Sequence, residues 1–113
     1  MKIDAEHNIC MTRGDTEQLV VSCPDRPFAE GDVVELTVRR YKGGGPVLLY
    51  KRAETFIDGK AYLEIRPEDT QKLDFGRASY DVQVTFTDLG VKTIIPPARF
   101  VLGPENTQGG EGT

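Results

Sequence analysis

The chain has 113 residues, and its 18 acidic and 14 basic side chains give a formal net charge of −4. A chain of this length forms one domain around one core, and spread acidic charge argues against nucleic acid as a partner. No apolar run approaches the roughly 18 residues that a membrane helix needs, and residues 1–6 turn charged too early for a signal peptide. We therefore expect a protein with no nucleic-acid or membrane partner that stays where it is made.

Alternation of apolar and polar side chains predicts β-strands, because it sends one set of side chains to a core and the other set to water. The clearest case is residues 80–87, whose apolar stripe is typical of a half-buried antiparallel strand. About seven strands are predicted, near residues 7–12, 18–23, 33–41, 47–56, 60–66, 78–87 and 91–102. The alternation predicts that Leu36, Val38, Leu63, Ile65, Val82, Val84 and Phe86 are buried. It predicts that Glu35, Thr37, Glu64, Gln83 and Thr85 face water.

Turn sequences separate these strands at intervals typical of a sandwich. They are Arg13-Gly14-Asp15, Glu30-Gly31-Asp32, Gly43-Gly44-Gly45-Pro46, Asp58-Gly59 and Asp88-Leu89-Gly90. Asp58-Gly59 is the most specific, because a two-residue hairpin turn needs positive φ at both positions. We predict an all-β fold, an antiparallel two-sheet sandwich of the immunoglobulin-like kind.

Residues 67–73 interrupt the strand pattern and predict one short helical turn. Pro67 suits the first helical position, and Glu68 and Asp69 lie near the positive end of the helix dipole. We expect Leu73 to hold this turn over one end of the sandwich.

The last strand and the tail have sequences of different character. Pro96 and Pro97 cannot donate to a strand ladder, so the last strand is expected to be an edge or to bend there. Residues 104–113 have almost no apolar content. We predict a single β-sandwich domain over residues 1–103 and a flexible C-terminal tail over residues 104–113.

Two cysteines, Cys10 and Cys23, are too few for a disulfide scaffold. In a hairpin of residues 7–12 and 18–23 that turns near Gly14, the two cysteines do not face each other. We expect free, partly buried thiols in a reducing compartment, and a disulfide across a bent arrangement is the alternative. There is no Cys/His cluster with zinc-ligand spacing.

The residues that carry catalysis in other proteins have ordinary structural interpretations here. His7 is the only histidine, and no nucleophile-and-base pattern accompanies it. Glu68 and Asp69 are adjacent and diverge on a helical turn, which favours helix capping over acid–base work. The glycines 43–45 precede a proline and lack the Lys-Ser/Thr of a phosphate loop, so they are expected to form a hairpin tip. We assign no catalytic, cofactor-binding or metal site, and we predict that the protein is not an enzyme.

Basic and aromatic side chains offer two candidate binding features. Arg39 and Arg40, with Lys42, Lys51 and Arg52 nearby, form the densest basic stretch. We expect a solvated strand edge and hairpin there, since lysines at edges hinder pairing between sheets. The tyrosines that can form a sugar-stacking platform are Tyr41, Tyr50 and Tyr62, the last of them predicted to point outward.

Several segments in a fixed order resemble those of a known group of proteins. They are Met11-Thr12-Arg13-Gly14-Asp15-Thr16, Phe28-Ala29-Glu30-Gly31-Asp32, Leu36-Thr37-Val38-Arg39-Arg40, Ile65-Arg66-Pro67-Glu68-Asp69-Thr70, Tyr80-Asp81-Val82-Gln83-Val84 and Thr93-Ile94-Ile95-Pro96-Pro97-Ala98-Arg99-Phe100. Over residues 9–102 the chain is similar to small phage-tail and prophage proteins of Gram-positive bacteria, and to the N-terminal β-sandwich domain of siphophage baseplate upper proteins. The chain departs from that pattern at residues 76–80. The group usually has an aromatic residue soon after the glycine, whereas this chain has only Tyr80 before the strand.

The resemblance implies a non-enzymatic tail or baseplate protein that acts through protein–protein contacts and carries no catalytic residues. It implies other tail or baseplate proteins as partners, a possible homo-oligomer, and a virion location after assembly in the bacterial cytoplasm. The alternative from a different class is a carbohydrate- or receptor-binding β-sandwich module.

Overall fold

The protein is an all-β sandwich, seen in a computed structural model that describes residues 1–74 and 76–104. Its elements are β1 Lys2–Ile3, β2 Ile9–Thr12, β3 Glu17–Val21, β4 Val33–Tyr41, β5 Gly44–Ala53, β6 Ala61–Ile65, α1 Pro67–Thr70, β7 Gly76–Phe86 and β8 Gly90–Gly103. One sheet has six strands in the order β1-β2-β8-β7-β4-β5, and the other pairs β3 with β6. Within the described residues, β2 and β8 are the one parallel pair. This six-and-two distribution is less even than that of an immunoglobulin domain.

The predicted alternation is confirmed in all three segments that carry it. Every side chain predicted to point inward is buried. Glu64, Gln83 and Thr85 are exposed, as predicted, whereas Glu35 and Thr37 are half-buried. Tyr50 on β5 lies beside both half-buried side chains, since its hydroxyl donates a hydrogen bond to Glu35 and its backbone position is opposite Thr37. The short strands β3 and β6 cover part of the larger sheet and enclose the core with it.

The segment after β2 departs from the predicted hairpin. β2 pairs with β8, whereas β3 pairs with β6 in the other sheet, so residues 7–12 and 18–23 are not partners. Gly14 has φ 89°, which lets the chain leave one sheet and enter the other. Its amide donates to Thr70 Oγ1 over 2.9 Å, and Thr70 is fully buried.

Both cysteines are free, as predicted. The expectation of partial burial holds for Cys23, which is half-buried, and is wrong for Cys10, which is exposed. Cys10 lies between buried Ile9 and Met11 on β2, so alternation turns its side chain to the outer face of the sheet.

The two predicted hairpin tips form different turns. Asp58 and Gly59 have φ of 52° and 73°, and the backbones of Ile57 and Lys60 exchange two hydrogen bonds of 3.0 Å, as a two-residue hairpin turn requires. At residues 43–46 the prediction is only partly right. Tyr41 pairs with Gly44, so the turn is shorter, and β5 begins at residue 44 and ends at residue 53, instead of 47 and 56.

The helical turn and the prolines of β8 behave largely as predicted. The helix covers four of the seven expected residues, and Leu73, beyond its end, packs against the core. The register of β7 against β8 shifts between Tyr80 and Val82, which is a bulge at the position of Pro96 and Pro97.

The predicted tail lies, from residue 105 onward, outside the described residues. The two-residue strand β1 was not predicted.

Candidate interaction surface

The residues considered for catalysis have structural roles. His7 is exposed in the loop between β1 and β2, and its backbone carbonyl accepts a hydrogen bond from the buried Tyr80 hydroxyl. Asp69 caps α1 by accepting a hydrogen bond of 2.7 Å from the backbone amide of Arg66, and its carboxylate also pairs with Lys51 over 2.7 Å. Glu68 pairs with the Arg66 side chain.

Two further findings concern residues 1–74 and 76–104. In these ranges no three His, Cys, Asp or Glu side chains come together as a group able to hold a metal ion. No helix there has the length and apolar character to cross a membrane.

A buried ion pair organises one end of the sandwich, where the loop after β3 meets the β7–β8 hairpin. Asp32 is fully buried, and its carboxylate accepts hydrogen bonds from Arg26 Nη1 over 2.7 Å and from the backbone amides of Ala29 and Thr87 over 2.8 and 3.0 Å. Arg26 also pairs with Asp88 over 3.0 Å. The arrangement satisfies a buried charge with three donors, so it stabilises this end of the fold.

The hydrogen bonds at Asp32 set its protonation. Burial by itself raises the pKa of this carboxyl. The backbone amide of Ala29, the Arg26 guanidinium and the backbone amide of Thr87 outweigh burial, and together they lower the pKa of Asp32 below its ordinary 3.8. Asp32 is therefore ionised in the folded protein at neutral pH.

The other end of the sandwich carries an open groove. It has a volume of about 500 Å³ and lies where the β4–β5 hairpin passes the starts of β7 and the bulged part of β8. We call it the basic groove. Its lining residues are Asn8, Arg40, Tyr41, Lys42, Arg77, Ala78, Ser79, Pro97, Ala98 and Arg99.

Strand register brings Arg77 and Arg99 of the basic groove near Arg39, which lines a neighbouring hollow. Arg39 lies opposite Ser79 on β7, and Ser79 lies opposite Arg99 on β8. Neighbouring strands are about 4.8 Å apart, so the backbones of Arg39 and Arg99 are separated by about 10 Å on one face of the sheet. Arg77, two residues before Ser79, points to the same face.

The charge of the basic groove is unbalanced. It is lined by three arginines and one lysine, and among the described residues no acidic side chain lines it. Arg40, Arg77 and Arg99 belong to none of the ion pairs of the described chain. The acids that border it are Asp4 beside Arg99, Asp74 below Arg40 and Arg77, and Asp81 on the neighbouring surface. The groove is therefore suited to an anionic partner.

The residues of the predicted basic stretch lie on two different strands of the larger sheet and do not form one surface. Lys51 and Arg52 lie on the edge strand β5, as expected, and pair with Asp69 and Glu54. Arg39 and Arg40 lie on the interior strand β4, so the expectation of a strand edge is wrong for them. Arg77 and Arg99 were not predicted to belong to this surface, because they are distant from Arg39 in sequence and only strand pairing brings them near it.

The three tyrosines do not share one platform. Tyr41 is 66% exposed and lines the basic groove, and Tyr50 lies on the same sheet, where its hydroxyl donates to Glu35. Tyr62 is exposed, as predicted, but it lies in the two-stranded sheet opposite Val20.

Neither a protein-family model nor a curated protein matches the chain.

Proposed function

We propose that this protein is a non-enzymatic structural or assembly component of a phage or prophage tail or baseplate, acting through protein–protein contacts. The observation that carries the proposal is the basic groove, in which arginines and an exposed tyrosine surround a concave surface. Arginine and tyrosine are enriched at the centres of protein interfaces, where they supply both contact area and hydrogen bonds.

The character of the sheet edge supports contact through the groove rather than through strand addition. The larger sheet ends in the two-residue strand β1 on one side and in β5 on the other. β5 contains Pro46, which has no amide to donate, and the charged Lys51 and Arg52. Such residues hinder pairing with a strand from another chain. The face that bears the groove is consequently the better docking surface.

The sequence supports the phage assignment. The segments that resemble tail and baseplate proteins occur in the order found in that group, and they are spread along the domain from residue 11 to residue 100. A stable interface buries about 800 Å² on each partner. The described chain exposes 6600 Å², so one such contact would cover about an eighth of its surface.

Co-purification with tail particles tests the proposal. An affinity-tagged chain is expressed in a lysogen of the source bacterium, the prophage is induced, and particles are purified on a density gradient. We expect the protein in the particle fraction at a fixed ratio to the major tail protein. We expect the Arg77→Ala/Arg99→Ala variant to be depleted from particles, and Lys72→Ala, an exposed cation outside the groove, to behave like the wild type.

The second candidate function is binding of a carbohydrate or receptor, which Tyr41 favours because it is exposed beside polar Ser79 and Asn8 in a concave site. This function predicts retention on a column of host cell-wall polysaccharide and loss of retention in Tyr41→Ala. Absence from induced particles together with such retention would replace the tail assignment.

A further inference from the structure

The end of the molecule opposite the basic groove is acidic. It is formed by residues 24–32, 54–60 and 87–90, which we call the acidic end. These segments contain Asp25, Glu30, Asp32, Glu54, Asp58 and Asp88 against Arg26 and Lys60, a net charge of −4. Arg52, which pairs with Glu54, and Lys92, which lines a hollow together with Asp25, border this end and reduce its net charge to −2.

Contacts between the three segments hold the acidic end together. The Phe28 amide donates to the Gly59 carbonyl over 3.0 Å, and the Phe28 and Phe56 rings lie 5.4 Å apart. Arg26 joins the first segment to Asp88 in the third. The 56–60 hairpin is therefore held against residues 27 and 28.

Part of this acidic charge is unbalanced. Arg26 neutralises Asp32 and Asp88 in part, and Arg52 pairs with Glu54. Asp25, Glu30 and Asp58 are exposed and belong to none of the ion pairs within the described residues.

The two charged ends lie far apart along the molecule. β4 runs from Val33, beside the acidic end, to Tyr41 in the basic groove, and its nine residues span about 30 Å. The molecule is elongated, with principal extents of 51 × 30 × 25 Å. Unlike charges therefore lie at opposite ends of β4.

We propose that the basic groove binds the acidic end of a second copy of this chain, so that copies associate head to tail. The inference rests on the proposed assembly function and names its first partner. A carboxylate accepts two parallel hydrogen bonds from an arginine, which makes the acidic side chains suitable for a groove with three arginines.

Exposed apolar side chains are present on both surfaces. The 56–60 hairpin carries Ile57, which is 62% exposed beside Asp58. The groove is concave, and its Tyr41 is 66% exposed. Burying Ile57 against Tyr41 supplies apolar contact, and the flanking carboxylates meet Arg77 and Arg99.

The charge arrangement also restricts the symmetry. A two-fold contact between two grooves, or between two acidic ends, brings like charges together, whereas a head-to-tail contact joins unlike charges. Such heterologous contacts produce a closed ring or an open filament, according to the rotation between neighbours. Each copy then uses both of its ends.

Complementary charge reversal tests the inference. One variant, Arg77→Glu/Arg99→Glu, makes the groove acidic, and a second, Asp25→Lys/Glu30→Lys, makes the acidic end basic. Asp58 is left unchanged because its positive φ disfavours lysine. All four altered side chains are exposed, and circular dichroism checks that both variants fold.

Sedimentation velocity at about 0.02 M salt gives the readout, because surface charges interact over longer distances at low ionic strength. We expect wild-type oligomers that grow with concentration and dissociate at about 0.5 M salt. We expect each variant alone to remain monomeric and an equimolar mixture of the two to associate again. Rescue in the mixture requires two folded proteins, so misfolding cannot imitate it.

Three results would overturn the inference. They are a wild type that stays monomeric at low salt, an assembly that the reversed variants leave unchanged, and a mixture that stays monomeric while the wild type assembles. Binding of polyphosphate by a monomeric wild type, lost in Arg77→Glu/Arg99→Glu, would assign the groove to an anionic ligand instead. Presence in induced particles without self-association would overturn only this inference, and self-association with absence from particles would overturn only the proposed function.

Discussion

The two ends of the sandwich use charge in different ways. At the acidic end, Asp32 is fully buried and receives hydrogen bonds from Arg26 and two backbone amides, so that its charge serves the fold. In the basic groove, Arg77 and Arg99 are exposed and have no ion-pair partner among the described residues. Charge that stabilises a fold is buried and paired, whereas charge available to a partner remains solvated and unbalanced.

The largest expected effect is at Asp32. Asp32→Ala removes the acceptor of two buried amides and of Arg26, and loss of one member of a buried pair costs about 3–5 kcal/mol. Urea denaturation measures the free energy of unfolding. The control is Asp88→Asn, which removes the exposed partner of the same arginine and should cost less than about 1 kcal/mol. Equal losses in the two variants would mean that the buried pair does not organise this end.

Acid should remove part of the same stabilisation. The pKa of Asp32 is lowered below 3.8 in the folded protein. Its contribution is therefore complete above pH 3.8, and it is lost as the pH falls through the lower folded-state value. We expect the difference in unfolding free energy between the wild type and Asp32→Asn to be constant near neutral pH and to shrink below pH 3.8. A difference that grows with acidification would contradict the sign of the shift.

The two hairpin tips give a smaller, matched comparison. Gly59 and Gly43 have φ of 73° and 75°, but a Cβ on Gly59 would meet Pro27 Cβ at 2.6 Å, whereas one on Gly43 has no neighbour within 4 Å. Gly43→Ala should cost about 1 kcal/mol for its backbone conformation, and Gly59→Ala about 2–3 kcal/mol because Pro27 must also move. Thermal melts of both variants measure this. Equal shifts would show that the 56–60 hairpin is not docked on Pro27.

The smallest expected effect is in the basic groove. Arg77→Ala/Arg99→Ala should change the free energy of unfolding by less than about 0.5 kcal/mol, because exposed side chains without a partner add little to stability. Urea titrations at low and high salt measure this change and its dependence on ionic strength. A loss above about 1 kcal/mol would mean that these arginines hold the fold together.

Local pattern predicted the fold better than it predicted the surface. Alternation along one strand identifies its buried face, and Asp58-Gly59 specifies its own turn, so the core and this hairpin were predictable. Strand pairing depends on contacts between distant segments. The sequence therefore did not reveal that β2 pairs with β8, or that Arg77 and Arg99 lie near Arg39 on the neighbouring strands.

Charged residues show the same limit. The sequence grouped Lys51 and Arg52 with Arg39 and Arg40 because they are close in the chain. In the structure Lys51 pairs with Asp69 on α1 and Arg52 pairs with Glu54 just after β5, and the groove is lined by other cations. Which charges are neutralised depends on contacts between side chains, and the amino-acid composition does not show these contacts.

The parallel pair of β2 and β8 has a mechanical consequence. β2 lies near the start of the domain and β8 at its end, and their four paired positions run from Ile9 opposite Phe100 to Thr12 opposite Gly103. A force that pulls the two ends of the domain apart drags these parallel strands in opposite directions along their length. The ladder's hydrogen bonds then carry the load together in shear, instead of opening one after another. This geometry resists forced unfolding along the line joining the chain's two ends.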